Sequence, residues 1–367
     1  MAKNAHNHVK DYTWDKYIDW TFEELKKVLN KKKLKMGKLR YITLLRVFSI
    51  LVVVFFHCYQ MLYSGHIAEV KELYYDYYYK IIQCGLINIA MPLFFTISGY
   101  LFLYISNKGG YKDFISFIKN KSLRLLLPYF VFSILMILTT GYSFGLEILS
   151  GFCHLWFLPR LFECFILTWI IRRYIKNKIV NAVILLLSFL FRDIILPIPS
   201  EFLGIDHILR WWCWFLLGCS ILDWQYEIFK VLSKFHLWVI CFIPYIVLFI
   251  VNPVSYGEES KVIIPCVAVA ILGMMYLAYK LCEREVFSEA AWKYIDLIGK
   301  WSYGLFIFHF WFGPYLLSST VQKLIPLNEL AADHIILFPL GFTLITITIS
   351  IIATYILQRN RIGRYLV

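Results

Sequence analysis

Charge is scarce in this sequence: Asp, Glu, Lys and Arg make up 17% of its 367 residues, against about 25% in a typical soluble domain. Acidic residues are the rarer sign, 24 against 37 Lys and Arg. Long polar linkers, low-complexity stretches and internal repeats are missing too, and each piece between apolar runs is short. The nine cysteines form no CxxC pair and no metal-ligand spacing. Cys58, Cys84, Cys164, Cys213, Cys219 and Cys241 lie inside apolar runs, where cysteine acts as a small buried hydrophobe. The first 40 residues hold no apolar core of signal-peptide length, so no cleavable signal is expected. These absences argue against a disulfide-stapled secreted domain, a zinc module and a chain of soluble domains on linkers.

What is abundant is apolar surface. Hydrophobic residues reach 60% and aromatics 19%, more than one water-soluble core can hide, so lipid is the natural solvent. Ten apolar runs of spanning length fall near 42–63, 81–105, 124–141, 154–171, 179–196, 207–222, 237–251, 262–281, 298–317 and 335–357. The fifth runs into Arg192 and Asp193, and the seventh is short and carries Pro244. The expected fold is all-α: a polytopic transmembrane bundle of about ten spanning helices.

The formal net charge of +13 would suggest nucleic acid in a soluble protein. Here the charge sits in clusters between apolar runs, which points to membrane topology and anionic headgroups, with no nucleic-acid partner. Alternate loops hold most of the basic residues: Lys26 to Arg40, Lys108 to Arg124, Arg172 to Lys178, Lys230 and Lys234, Lys280 to Lys300, and Arg359 to Arg364. The positive-inside rule then places both termini in the cytoplasm, and the inner membrane is the expected location. Trp14, Ile18, Phe22, Leu25 and Leu29 recur at helical spacing before Lys31, Lys32 and Lys33, as in a surface amphipathic helix. Three parts are expected: a basic, amphipathic cytoplasmic segment at 1–40, a transmembrane domain at 41–358, and a basic cytoplasmic tail at 359–367.

An ionisable residue inside a span costs about 2.5–3.5 kcal/mol on insertion scales, so each needs a reason. Arg46 and His57 are eleven residues apart in the first run, which on a helix is about three turns, one face and some 16 Å of rise. A snorkelling arginine with a core histidine is one reading, and a functional pair is the other. In the second run Pro92 interrupts the helix, and Ser98–Gly99 permits close approach of a helix or a ligand. Arg124 enters the third run from the same side as Arg46, and two arginines at one mouth suit phosphate. His154, Trp156, Arg160 and Glu163 open the fourth run, with Arg160 and Glu163 at pairing distance in sequence. Arg210 precedes Trp211, Trp212 and Trp214, which suit either a sugar face or an interfacial belt. His309 lies deep in the ninth run beyond Ser302.

Five landmarks in order, Arg46 with His57, FFTISGYL at 94–101, RLLLPYF at 124–130, HLWFLP at 154–159 and SYGLFIFH at 302–309, resemble the membrane-bound acyltransferase 3 family. That resemblance implies transfer of an acyl group, usually acetyl from cytosolic acetyl-CoA, to a cell-surface or lipid-linked glycan. It implies functional roles for Arg46 and His57, with Ser98, Gly99 and Arg124 near the donor path. Tyr100, His154, Trp156, Arg160, Glu163, Arg210, Ser302 and His309 are candidates for the acceptor side or for supporting the site. Where many relatives carry an aspartate shortly before the first arginine, this chain has Thr43. The expected partners are acyl-CoA, the glycan acceptor and the bilayer, and no metal is expected. The chemistry fits: a stretched pantetheine arm spans about 15–18 Å, and an imidazole can take a hydroxyl proton and return it to the leaving thiolate. An acyl-histidine intermediate stays open, as do succinyl transfer and a flippase for lipid-linked sugar.

Overall fold

The computed structural model describes residues 37–63, 78–140, 145, 147–194, 205–255, 261–317, 327–360 and 363–367. The expected amphipathic helix through Trp14, Ile18, Phe22, Leu25 and Leu29 lies outside the described residues, as do Lys31, Lys32 and Lys33. Among the described residues every regular element is helical. In lipid the backbone must satisfy its own hydrogen bonds, which an uninterrupted apolar run does only as a helix.

The helices that position the site are α1 (Gly37–Tyr63) and α2 (Ile87–Asn107), α2 being entered through a π-helical turn, Lys80–Leu86. Next come α3 (Phe114–Lys121), a π turn (Ser122–Leu126) and α4 (Leu127–Thr140). A 3-10 turn at Cys153–Trp156 leads into α5 (Phe157–Tyr174), followed by α6 (Lys178–Leu190), α7 (Ile208–Asp223) and α8 (Gln225–Ser233). After a kink come α9 (Ile243–Val251), α10 (Ile263–Glu283), α11 (Glu289–Phe310) and α12 (Leu337–Arg359). Caps mark several starts: Asp113 accepts from Ser116 N–H before α3, Asn177 from Ile179 and Val180 before α6, and Ser288 from Ala291 before α11.

Among the described residues, seven segments are long and apolar enough to cross a membrane: Leu39–Gln60, Lys80–Asn107, Phe114–Thr139, Cys153–Tyr174, Gln225–Val251, Ile263–Glu283 and Leu337–Arg359. A helix also stands at each of the other three predicted spans, as α6, α7 and α11. With 13 residues, α6 rises about 20 Å, short of the ~30 Å hydrocarbon core. The seventh predicted span, 237–251, is entered through a bend where Phe235 and His236 take positive φ, 48° and 53°, and is interrupted at Cys241 and Phe242, between the short helix Leu237–Ile240 and α9. That bend separates the amphipathic α8 from the apolar α9.

Contacts fix the two ends of the bundle. At one end Tyr41, Tyr100 and Gln225 close a hydrogen-bond ring: Tyr41 Oη donates to Tyr100 Oη at 2.7 Å, Tyr100 Oη to Gln225 Oε1 at 3.0 Å, and Gln225 Nε2 to Tyr41 Oη at 3.1 Å. Tyr279 packs edge-on against Tyr41, and Arg172 pairs with Asp223 at 2.6 Å. This end therefore joins the start of α1 and α8 to the finish of α2, α5, α7 and α10. At the other end Tyr59 meets Tyr78, Tyr78 Oη donates to Ile335 O, and Asn88 Nδ2 donates to Val254 O. The finish of α1 and α9 meets the start of α2 and α12 there.

The tightest helix crossing joins α2 and α7. A Cβ on Gly99 would lie 1.8 Å from Phe215 O, and one on Gly218 1.8 Å from Thr96 O. Two glycine notches thus let two backbones touch, the packing mode of helices that gain nothing by hiding from lipid. By contrast Leu186, Leu190, Ile250, Leu337, Leu344 and Ile356 are exposed on α6, α9 and α12, an apolar outer surface of the kind a bilayer covers.

Candidate active site

The site is built on α1 and α11, which run side by side in the same direction. At their starts Arg40 pairs with Glu289 at 3.7 Å and lies over the Trp292 ring. Six residues further along α1, Arg46 Nη2 comes within 3.4 Å of where a Gly299 Cβ would sit. Eleven residues beyond that, the His57 ring lies 5.2 Å from the His309 ring, centroid to centroid. The steps 40, 46, 57 on α1 thus match 289–292, 299, 309 on α11, and the register holds over about 16 Å between the arginine and histidine levels.

At the arginine level, Gly299 clears room for the guanidinium, and Asp296 one turn earlier is the carboxylate whose charge reaches it. Arg46 Nε is buried with no hydrogen-bond partner among the described residues. Arg124 is attached to the same helix: the Tyr303 hydroxyl donates to its backbone carbonyl. Gly299 and Tyr303 are four apart on α11, so Arg46 and the backbone of Arg124 meet one face of that helix a turn apart. Ser302 Oγ donates to Gly299 O at 2.9 Å, a bond within the helix.

At the histidine level three imidazoles converge. His154 stands 5.0 Å from His309 and 6.3 Å from His57, centroid to centroid. It reaches α11 from the 3-10 turn before α5, where Nε2 lies 3.0 Å from Ile307 O. His309 Nδ1 lies 3.0 Å from Leu305 O. A carbonyl only accepts, so these two nitrogens carry the protons, and His154 Nδ1 and His309 Nε2 hold the lone pairs in the neutral rings. Both lone-pair nitrogens are buried with no partner among the described residues. His57 Nδ1 faces Gln60 Oε1 at 3.3 Å, which leaves Nε2 as its basic nitrogen. His154 and His309 are buried, whereas His57 is half-buried. Phe310 packs on both His57 and His154, and Phe306 on His154 and His309. No group of three His, Cys, Asp or Glu side chains among the described residues is arranged to hold a metal ion.

The other predicted residues are distributed around this pair of levels. Gly99 is the α2 notch that seats α7, and its carbonyl accepts from Cys219 Sγ. Ser98 is half-buried beside it, and Tyr100 belongs to the hydrogen-bond ring at the start of α1. Arg160 and Glu163 pair at 3.5 Å, as their spacing predicts. Trp156 packs on Trp211, which stacks on Phe95. Arg210 is half-buried at the start of α7. Of the three tryptophans read as either a sugar face or an interfacial belt, Trp212 and Trp214 turn to the protein interior. Both are buried, the Trp212 indole donating to Thr168 and Trp214 packing on Phe189.

Sequence reasoning passed over Asp296, Gly299 and Tyr303. Their signal was present: Trp292, Asp296, Gly299, Tyr303, Phe306 and Phe310 recur at three-to-four spacing, the stripe that faces α1 and the histidines. Lys121, counted with a basic loop cluster, is buried instead. Its ammonium lies 3.6 Å from the Phe165 ring centroid and 3.3 Å from Tyr111 Oη.

Comparison with known proteins adds one match. No curated protein and no solved structure matches the chain. A family model described as an acyltransferase domain matches residues 39–358, an interval that contains both arginines and all three clustered histidines. The chain therefore belongs to the membrane-bound acyltransferase 3 family and is an acyltransferase.

Proposed function

We propose that this acyltransferase moves an acyl group, acetyl in the first instance, from acyl-CoA to a hydroxyl of a cell-surface or lipid-linked glycan. The observation that carries the reading is the matched register of α1 and α11, which sets a cationic level and an imidazole level about one pantetheine arm apart. In this reading the end where α1 begins faces the cytoplasm of a cell with an inner membrane, both termini included. Arg46 and Arg124 hold the phosphates of acyl-CoA there, with Ser98 beside the donor path and Gly99 seating α7 next to it.

The chemistry then follows from His57. Its Nε2 takes the proton of the acceptor hydroxyl as that oxygen attacks the thioester carbonyl. The tetrahedral intermediate collapses with loss of the C–S bond, and the thiolate takes the proton from His57. The ester is formed, free thiol leaves, and the imidazole returns to its starting state. Gln60 Oε1 keeps the proton on Nδ1 and so keeps the lone pair on Nε2. Half-buried Trp156 and Arg210, with the Arg160–Glu163 pair, form the acceptor side.

The test is purified protein in liposomes with labelled acetyl-CoA and succinyl-CoA and an envelope glycan extract. Label should move from acetyl-CoA into glycan with release of one thiol per ester. Movement of lipid-linked saccharide across the bilayer without ester formation would replace this reading with the flippase one, and preference for succinyl-CoA would replace acetyl.

A further inference from the structure

Two features of the histidine cluster are left over by a mechanism that needs only one base. His154 Nδ1 and His309 Nε2 are buried lone-pair nitrogens without a partner among the described residues. Their rings stand 5.0 Å apart, edge to face, and both lie within 6.3 Å of His57. Neither ring is free to choose its tautomer, because Ile307 O and Leu305 O each hold a proton on the other nitrogen. An imidazole buried only for packing loses nothing by having its bare nitrogen replaced with carbon. One whose lone pair is fixed and buried costs desolvation free energy unless a donor is supplied.

We propose that His154 Nδ1 and His309 Nε2 are two hydrogen-bond acceptors that seat two further hydroxyls of the acceptor substrate, one on each ring, next to the hydroxyl that His57 deprotonates. This rests on the acyl-transfer reading above and adds to it the residues that seat the acceptor. A simple alcohol brings one hydrogen, which the base removes. A polyol brings neighbouring hydroxyls that can donate to the other two rings. The pair is therefore a specificity device for polyhydroxylated acceptors, and both histidines act as positioning residues.

The two rings present opposite nitrogens, which gives a test that separates seating from packing. An Asn side chain reaches about as far as histidine Nδ1, and a Gln about as far as Nε2. His154→Asn keeps the acceptor and drops the bond to Ile307 O, while His154→Gln does the reverse. At the other ring His309→Gln keeps the acceptor and His309→Asn keeps the bond to Leu305 O. Each variant is assayed in liposomes with labelled acetyl-CoA and the source cell's own membrane glycans, with acetyl-CoA binding measured in parallel as a check of folding. Seating predicts that His154→Gln and His309→Asn lose about 10–100-fold in kcat with the acetyl-CoA KM unchanged, while His154→Asn and His309→Gln stay within about threefold of wild type. The reverse order would assign both histidines to helix packing and overturn the proposal. So would a loss seen only in the acetyl-CoA KM, which would make the pair a donor contact. Failure of wild-type protein itself to transfer label would instead remove the acyl-transfer reading, and this pair with it.

Discussion

The arginine and histidine levels of the α1–α11 pair are built for opposite needs. At the first, a guanidinium sits in a notch made by Gly299, with Asp296 the one counter-charge acting on it among the described residues. At the second, three aromatic rings pack among Phe306 and Phe310, and two of them hold lone pairs with no donor among the described residues. A cation short of anions suits phosphate, and acceptors short of hydrogens suit hydroxyls. The comparison teaches that one helix pair can present two recognition chemistries, provided the helices stay in register over the gap between them.

The sharpest way to break the comparison is at His57. His57→Ala should bind acyl-CoA as wild type does and lose transfer by about 10²–10⁴-fold, the range for a positioned base. Near-normal turnover would move the base to another ring. At the other level the split should invert: Arg46→Ala should weaken acyl-CoA binding about 10–100-fold, as expected for lost charge-assisted hydrogen bonds, with Arg46→Lys between it and wild type. Unchanged affinity, read by calorimetry in detergent, would leave Arg46 with a topological role alone.

A smaller perturbation probes the register itself. In Gly299→Ala the new methyl would meet Thr43 Cγ2 at 2.8 Å and Arg46 Nη2 at 3.4 Å. It should raise the acyl-CoA KM about 3–10-fold and leave kcat near wild type, since overpacking here displaces the guanidinium and not the rings. Equal loss in both parameters would mean that the two levels move together. The smallest effect belongs to Asn177→Ala, which removes the α6 cap far from either level. It should cost about 1 kcal/mol of stability in thermal unfolding and nothing in transfer.

Arg46 of the first level and one of the three imidazoles of the second were legible in one helix. Arg46 and His57 share a face because eleven residues make about three turns, and no neighbour is needed to see it. The Arg160–Glu163 pair was legible for the same local reason. His154 and His309 were visible as costly residues in spans, but not as partners, because the turn and helix that carry them are separated by some 150 residues. Gly99 suited both a ligand and a helix, and only the position of Phe215 shows which one its notch receives. Trp212 and Trp214 suited a sugar face or an interfacial belt in sequence, which gives composition without direction, and both are buried in the fold. Lys121 looked like loop charge because its aromatic surroundings come from three different places in the chain.

By itself the sequence determined the solvent and the helices. With 60% hydrophobic residues and clustered charge, the chain belongs in lipid, and lipid admits apolar runs as helices because their backbone bonds close internally. Which helices touch, and at what register, was decided only by the tertiary structure. Helix contact in a bilayer depends on the fit of small residues such as Gly99, Gly218 and Gly299 against particular neighbours. That fit is a property of pairs of surfaces. It brings His154 and His309 to His57, and through Ile307 O it sets which nitrogen of His154 carries the lone pair, whereas Leu305 O, one turn back on the same helix, does so for His309.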